Sequence, residues 1–433
     1  MDLGLRFWLS GLKNFLLGRS KPASMYYRPL EGNVQEYKLP DPLEFPDGST
    51  VKTRGDWMER RRPEILEMFE ENVYGKVPEG ARARDHEIVD KKDGALDGLA
   101  IRKQVSIFLA PGKPQPILNL LIYLPRDVVK AKKNVPVFLG LNFVGNHTIN
   151  DDTGIFMHEK YFPEGMLRGT PYSQSRGLRS WRWPVTSILD QGFGLATAFC
   201  GDVVPDRKDG LSRGIHPHYC REGQGQREPD DWGAIAAWAW GLSQAMNYLE
   251  GDGDVDATKV AVFGHSRLGK TALWAAAMDQ RFAMAIANDS GCGGAALSRR
   301  RFGETVRAIN ESFPHWFCKN FREYNGREDA LPVDQHMLLA LIAPRPVYVA
   351  SAQKDFWADP HGEFLSVLHA NRVYKFLETT GFPAKDMPPF NQPVFARMGY
   401  HVRRGRHDMT LFDWKAYISF ARKHFSKKTT KNA

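Results

Sequence analysis

Lys259-Val260-Ala261-Val262-Phe263-Gly264-His265-Ser266-Arg267-Leu268-Gly269-Lys270-Thr271 decides the fold. A short apolar run ends at a glycine-bounded turn, and a helical pattern follows from Ala272 to Met278. Strand, tight turn and helix are the local plan of a parallel α/β unit. Two chemistries share that plan. Read literally, Gly264 to Thr271 matches G-x-x-x-x-G-K-[ST], a loop whose backbone amides cradle phosphates. Lys270 would then reach the terminal phosphates and Thr271 would hold a magnesium ion. Read as a nucleophile elbow, Ser266 stands on the sharp turn with its hydroxyl above the sheet. The usual elbow is G-x-S-x-G. Here the second glycine comes one residue late, at Gly269, and Leu268 takes its place.

The surrounding chain favours the elbow. Apolar runs at 99–110, 117–124, 135–141, 194–199, 259–263, 282–287, 346–352 and 394–401 predict eight strands. Helical patterns at 57–73, 231–249, after Ser266, at 364–379 and at 410–424 alternate with the later strands. That order predicts a three-layer αβα sandwich of the α/β-hydrolase type. Its sheet should be mostly parallel, antiparallel at its start, with large insertions at 143–190 and 292–340. Several strands precede Gly264, whereas a phosphate loop usually follows an early strand. A serine hydrolase also needs an acid and then a histidine, in that order. Asp355 follows the strand 346–352, and His407 lies in the loop between the last strand and the last helix.

Composition narrows the class further. Of 433 residues, 42% are hydrophobic and 25% charged, which excludes a disordered chain. No stretch approaches the roughly 20 apolar residues that span a bilayer, so no stable membrane insertion is expected. The net charge is 59 − 50 = +9. Part of this excess sits in the runs 299–301, 403–404 and 427–431, read as solvated, so nucleic acid is not an expected partner. The four cysteines, Cys200, Cys220, Cys292 and Cys318, are too sparse for a disulfide scaffold and lack the CxxC spacing of a zinc motif, which leaves one or two bridges open. Asp202, Asp206, His216 and His218 read as residues that order a loop, and no metal is expected. Residues 1–25 read as an amphipathic or leader-like segment without a clear signal peptide. Residues 26–433 read as a single catalytic domain, whose Pro-rich stretch up to residue 55 forms an extended arm.

At these residues the chain resembles the glucuronoyl esterases, a carbohydrate esterase family of α/β-hydrolases. Gly264, Ser266, Arg267, Gly269 and Lys270 reproduce the family's G-x-S-R-x-G-K elbow. The likeness continues through Asp289-Ser290-Gly291-Cys292-Gly293-Gly294, Phe302-Gly303-Glu304, Asp355-Phe356-Trp357 and His407. It implies a carboxylic ester hydrolase, without a cofactor, that cleaves esters of 4-O-methyl-glucuronic acid in lignin–glucuronoxylan cross-links. It also implies a secreted or periplasmic enzyme, and a monomer is expected. Other serine carbohydrate esterases, such as the acetyl-xylan type, and the phosphate-loop reading are the alternatives.

The resemblance assigns roles as well. Ser266 would attack the ester carbonyl, and His407 would take its proton and return it to the leaving alcohol. Arg267 would stabilise the oxyanion through its backbone N–H and its side chain. Lys270, Glu304 and Trp357 would hold the uronate. In the fungal members the residues before the serine and after the histidine form a disulfide. Here they are His265 and Asp408, as in the bacterial type, and these two are expected to pair across the same gap. The fungal acid is a Glu after the sixth strand. Asp289 occupies that place, one methylene shorter. Asp355 sits at the general hydrolase position and is the expected main acid, with Asp289 supporting. The strand before Asn142 usually supplies the other oxyanion donor, which the sequence leaves unassigned.

Overall fold

The computed structural model describes residues 31–112, 116–157, 170–219 and 227–426. Residues 1–25, Cys220 and the lysine tail lie outside them. Ten strands form one sheet: β1 (Asp85–Ala95), β2 (Ala100–Phe108), β3 (Ile117–Pro125), β4 (Val135–Asn142), β5 (Gly194–Phe199), β6 (Val255–His265), β7 (Met284–Asn288), β8 (Val347–Ala352), β9 (Val394–Phe395) and β10 (Met398–Arg403). Their order across the sheet is β1-β2-β3-β5-β4-β6-β7-β8-β10-β9. The pairs β1–β2, β2–β3 and β3–β5 are antiparallel. From β5 to β10 every pair is parallel.

The strands are apolar on both faces because both faces are covered. On β6, Val260 and Val262 point into one core while Ala261 and Phe263 point into the other. The same alternation divides Val347 and Val349 from Tyr348 and Ala350 on β8. Helices Ala234–Gly251, Arg267–Met278 and Pro360–Phe376 contribute to the first core, and Leu411–Phe425 to the second. None of the described helices is long and apolar enough to cross a membrane.

Ten strands replace the eight expected. β1 is an edge strand whose residues are mostly exposed and charged, so no apolar run marks it. The run at 394–401 breaks into β9 and β10, which pair antiparallel. The arginine runs are the larger correction. Arg299, Arg300 and Arg403 are buried rather than solvated, each carrying ion pairs. Arg62, in the helical pattern 57–73, is also buried. It donates to the carbonyls of Leu341 at 3.0 Å and Ala277 at 2.6 Å. A guanidinium carries five donors and saturates several buried carbonyls at once. The arm packs onto the body: Glu31 meets Arg300 and His361 at 2.8 and 2.7 Å.

His336 holds the arm from below. Its Nε2 lies 2.9 Å from the Pro40 carbonyl and must carry the proton, since a carbonyl only accepts. Its Nδ1 is buried and has no partner. Burial pushes its pKa down to about 4, and burial likewise pushes His216 down to about 3. Below pH ~6.5 the unfolded chain takes up these protons and the native state does not, so stability falls as pH drops toward 4. Each such histidine lowers the folding constant about tenfold per pH unit in that window. Urea unfolding at pH 7 to 4.5 should show a shallower acid-side loss for His336→Gln, by one proton's slope.

Candidate active site

The elbow stands at the end of β6. Ser266 has φ 59° and ψ −129°, a left-handed conformation that costs a non-glycine residue about 1–3 kcal/mol. Two glycines make room for it. A Cβ on Gly264 would lie 1.9 Å from the Leu268 carbonyl oxygen. A Cβ on Gly269 would lie 3.1 Å from the Ser290 Cβ and 3.2 Å from the Gly264 oxygen. The close packing usually given to the second glycine of the elbow therefore falls to Gly269, while the Leu268 side chain is buried in the core. Ser266 begins the helix Arg267–Met278, and its own amide donates to the Asn288 carbonyl of β7 at 2.8 Å.

The phosphate-loop reading does not survive this geometry. Thr271 is fully buried and gives its hydroxyl to the Arg267 carbonyl at 2.9 Å. Lys270 is buried too, with its ammonium 2.5 Å from the Ser290 carbonyl and 3.8 Å from Glu304. Neither residue faces an open cradle.

Ser266, Arg267 and His407 line one cavity of about 210 Å³ with Phe143, Val144 and Arg182 among its walls. Phe143 and Val144 belong to the loop after β4, the region the sequence marked for a further oxyanion donor. His407 Nδ1 is 2.5 Å from Asp355 Oδ2. That contact fixes the tautomer: Nδ1 carries the proton and Nε2 is left as the base. Asp355 is buried, and the His407 side chain is 42% exposed.

Asp289 lies beside this pair, with ligand atoms of Asp289, Asp355 and His407 all within 4.8 Å of one another. Its Oδ2 accepts from the Asp408 amide at 3.1 Å and from Arg403 at 3.4 Å, and its Oδ1 is buried without a partner. Burial and then the Asp355 charge push the Asp289 carboxyl well above the usual range. Asp355 alone makes the direct hydrogen bond to His407.

The expected pairing of His265 with Asp408 is not what the structure shows. His265 Nδ1 lies 2.6 Å from Asn288 Oδ1, and its ring stands 4.5 Å from that of His407. Burial, then the neighbouring His407, hold its pKa well below the ordinary value, so it packs as a neutral ring. Asp408 turns to Arg182 and to the Trp181 indole at 3.3 Å. An anion there finds a cation from the 143–190 insertion, where a neutral imidazole offers none.

Arg267 is held by Asp206, which also accepts from His315 at 2.9 Å and the Trp316 indole at 2.8 Å. The guanidinium lies between the rings of Phe143 and Trp316, at 5.3 and 5.0 Å. Its Nε is buried without a partner. Burial would raise the Asp206 pKa, but the Arg267 charge and these hydrogen bonds bring it down to about 2. Asp206 thus orders its surroundings, as the sequence suggests. So does Asp202, which accepts from the backbone and side chain of Asn119, both at 2.9 Å, and so does His216, whose Nε2 lies 2.9 Å from the Trp232 carbonyl.

Lys270, Glu304 and Trp357 come together, but not in the lining of this cavity. The Glu304 amide donates to the Trp357 carbonyl at 2.9 Å. Burial raises the Glu304 pKa against the opposing Lys270 charge and the Trp357 indole. Trp357 is 36% exposed and Phe356 beside it 44%, so both present aromatic surface to solvent. Cys292, Cys200 and Cys318 are free and buried.

Residues 225–378 match the family described as glucuronyl esterase, fungi. A carbohydrate esterase from an unknown prokaryotic organism is 51% identical over 403 residues, 92% of this chain and 91% of its own. The chain belongs to the glucuronoyl esterases, carbohydrate esterase family 15. Among solved structures, a promiscuous esterase of this family from a marine bacterial metagenome superposes with a TM-score of 0.85 at 51% identity, covering 91% of this chain and 99% of that one. A glucuronoyl esterase from Solibacter usitatus gives 0.86 at 44% identity, with 91% and 100% covered. The 4-O-methyl-glucuronoyl methylesterase of Schizophyllum commune is 28% identical over 357 residues, 79% of this chain and 75% of its own. The chain is a carboxylic ester hydrolase of the α/β-hydrolase fold, as the family resemblance implied.

Arg403 is a residue of the site's surroundings that sequence reasoning missed. It ends β10, bonds Asp413 at 2.9 Å, and donates to the carbonyls of Arg406 and Asp408, the two neighbours of His407. Arg403→Ala would leave the buried Asp413 and Asp289 without their cation. A loss of about 3–5 kcal/mol is expected from urea unfolding, together with a fall in esterase turnover. Arg403→Lys should recover part of the first and less of the second.

Proposed function

We propose that this glucuronoyl esterase cleaves esters of 4-O-methyl-glucuronic acid, as found between glucuronoxylan and lignin alcohols, by acyl transfer through Ser266, His407 and Asp355. The observation that carries the proposal is the 2.5 Å contact of His407 with Asp355 in the cavity that Ser266 shares. His407 Nε2 takes the Ser266 proton as Oγ attacks the ester carbon. The Asp355 carboxylate keeps the ring oriented and stabilises the imidazolium. Negative charge then develops on the carbonyl oxygen. The Arg267 amide opens a helix and has no intrahelical partner, and the guanidinium adds a full positive charge beside it. One such donor contributes about 3–4 kcal/mol at the transition state.

His407 next returns the proton to the leaving alcohol, and water repeats the sequence on the acyl-enzyme. Asp289 acts in support: its raised pKa keeps a second negative charge away from Asp355, while its Oδ2 holds the Asp408 amide. Lys270, Glu304 and Trp357 recognise the hydroxyls and ring of the uronate, whose carboxyl is esterified and uncharged. A cross-linked cell-wall polymer does not enter a cell, so the enzyme works outside the cytoplasm, and it works as a monomer. Residues 1–25 are its amphipathic or leader-like segment. Fractionation and size-exclusion chromatography test these last points.

Hydrolysis of benzyl glucuronate should require Ser266, with Ser266→Ala inactive, and should be unchanged in EDTA. Cleavage of p-nitrophenyl acetate without the uronate ester would assign the chain to a general esterase activity. Asp355→Asn should lower kcat on the order of a thousandfold or more, and Asp289→Asn by much less. The reverse ranking would make Asp289 the main acid.

A further inference from the structure

Behind the site, four neutral donors converge on one buried carboxylate. Glu363, on the helix Pro360–Phe376, is fully buried. Its Oε1 accepts from the Ser290 amide at 2.8 Å, the Ser290 hydroxyl at 2.8 Å and the Gly291 amide at 2.9 Å. Its Oε2 accepts from the Ser351 hydroxyl at 2.6 Å. A buried charge is tolerated only when its lone pairs are met in this way.

The loop is shaped to meet them. Asp289 and Gly291, on either side of Ser290, have φ of 46° and 60°. Left-handed residues placed so turn successive amides to one side, forming a concavity that holds an anion. Here the acceptor is a side chain of the protein itself, the Glu363 carboxyl, whose pKa burial raises to about 7 against these hydrogen bonds. With the two amides on Glu363, the Ser290 carbonyl is free to take the Lys270 ammonium at 2.5 Å. Lys270 in turn stands 3.8 Å from Glu304. The Ser290 hydroxyl also accepts from the Ala295 amide at 2.9 Å, which ties the loop to its own continuation.

We propose that Glu363 is a positioning residue for the uronate subsite: it fixes the Ser290 peptide and, through that carbonyl, the place of the Lys270 ammonium, without touching substrate. The proposal rests on the reading of Lys270 as a uronate ligand. It separates Glu363 from an ordinary buried carboxylate, whose loss would weaken every substrate alike. An acetate ester has no sugar for Lys270 to hold, so its turnover should not depend on this relay.

The test compares kcat and KM for benzyl glucuronate and for p-nitrophenyl acetate, with melting temperatures, in the wild type, Glu363→Ala, Glu363→Gln, Glu363→Asp and Lys270→Ala. Glu363→Ala should raise KM for the uronate ester about tenfold, the size expected when a hydrogen bond to a charged group is lost. Its kcat/KM for the acetate should stay within about threefold of wild type on the same reasoning. Glu363→Gln should recover most of the uronate KM, because its carbonyl still accepts from the two amides while its NH₂ faces Ser351. A parallel loss for both esters would overturn the proposal. If Glu363→Ala does not fold, Glu363→Asp takes its place, since the shorter side chain withdraws the carboxylate from both amides, and an unchanged uronate KM there overturns the proposal equally. If Lys270→Ala raises the uronate KM and Glu363→Ala does not, the relay alone is wrong. If Lys270→Ala leaves it unchanged, the subsite reading falls and the relay with it.

Discussion

Everything in the site is placed by the approach of the Leu268 carbonyl to Gly264. The gap allows no Cβ at residue 264, so β6 reverses into its helix within a single residue. That residue, Ser266, is left in a strained left-handed conformation at the carboxyl edge of the sheet. The strain is sustained by the parallel strands around it. β7 takes the Ser266 amide, and the β6–β7 register continues to His265 opposite Asn288. Once the turn is fixed, Arg267 starts the helix beside the reacting hydroxyl, and Lys270 falls one turn further along the same face. Ser266, Arg267 and Lys270 thus share one helix end.

A buried charge lattice supplies the other half. The loop of His407 has no regular structure of its own, yet Arg403 takes the carbonyls on both sides of it and is anchored on Asp413. Asp206 plays the same part for Arg267, and Glu363 for the Ser290 peptide that meets Lys270. Buried ion pairs add little net stability, because desolvation opposes their attraction. What they add is direction: each holds a loop at a fixed angle to the sheet. The enzyme places this cost where geometry matters to the chemistry.

This division explains what the sequence made legible. β4, β5 and β8 lie within the sheet, buried on both faces, and so appear as unbroken apolar runs. β1 is an edge strand that meets water with lysines and aspartates, and its sequence gives no such signal. The helix predicted from 364 begins at Pro360, where the Asp359 side chain caps the Gly362 amide at 2.9 Å. The Asp-Pro pair before the apolar pattern was the available cue. Ser266, Asp355 and His407 were legible because a triad has a chain order and strand ends to occupy. Arg403 and Glu363 were not, since a charged residue in a local run reads the same whether it faces water or the core. Only the tertiary contacts separate the two cases.

The position of the acid follows from the same physics. Two carboxylates stand within reach of one imidazole, and in a buried setting they cannot both hold full charge cheaply. The Asp289 side chain is short, and its backbone is left-handed, with φ 46°. It gives Oδ2 to the Asp408 amide and leaves Oδ1 bare. Asp355 leaves β8 on a loop whose backbone is tied to the His407 loop, with the Lys354 amide on the Gly405 carbonyl at 2.8 Å. The Asp355 and His407 loops are therefore joined through the backbone as well as by the hydrogen bond between their side chains. Asp289, at the position of the fungal acid, is left the lesser charge and the task of fixing the backbone beside the base.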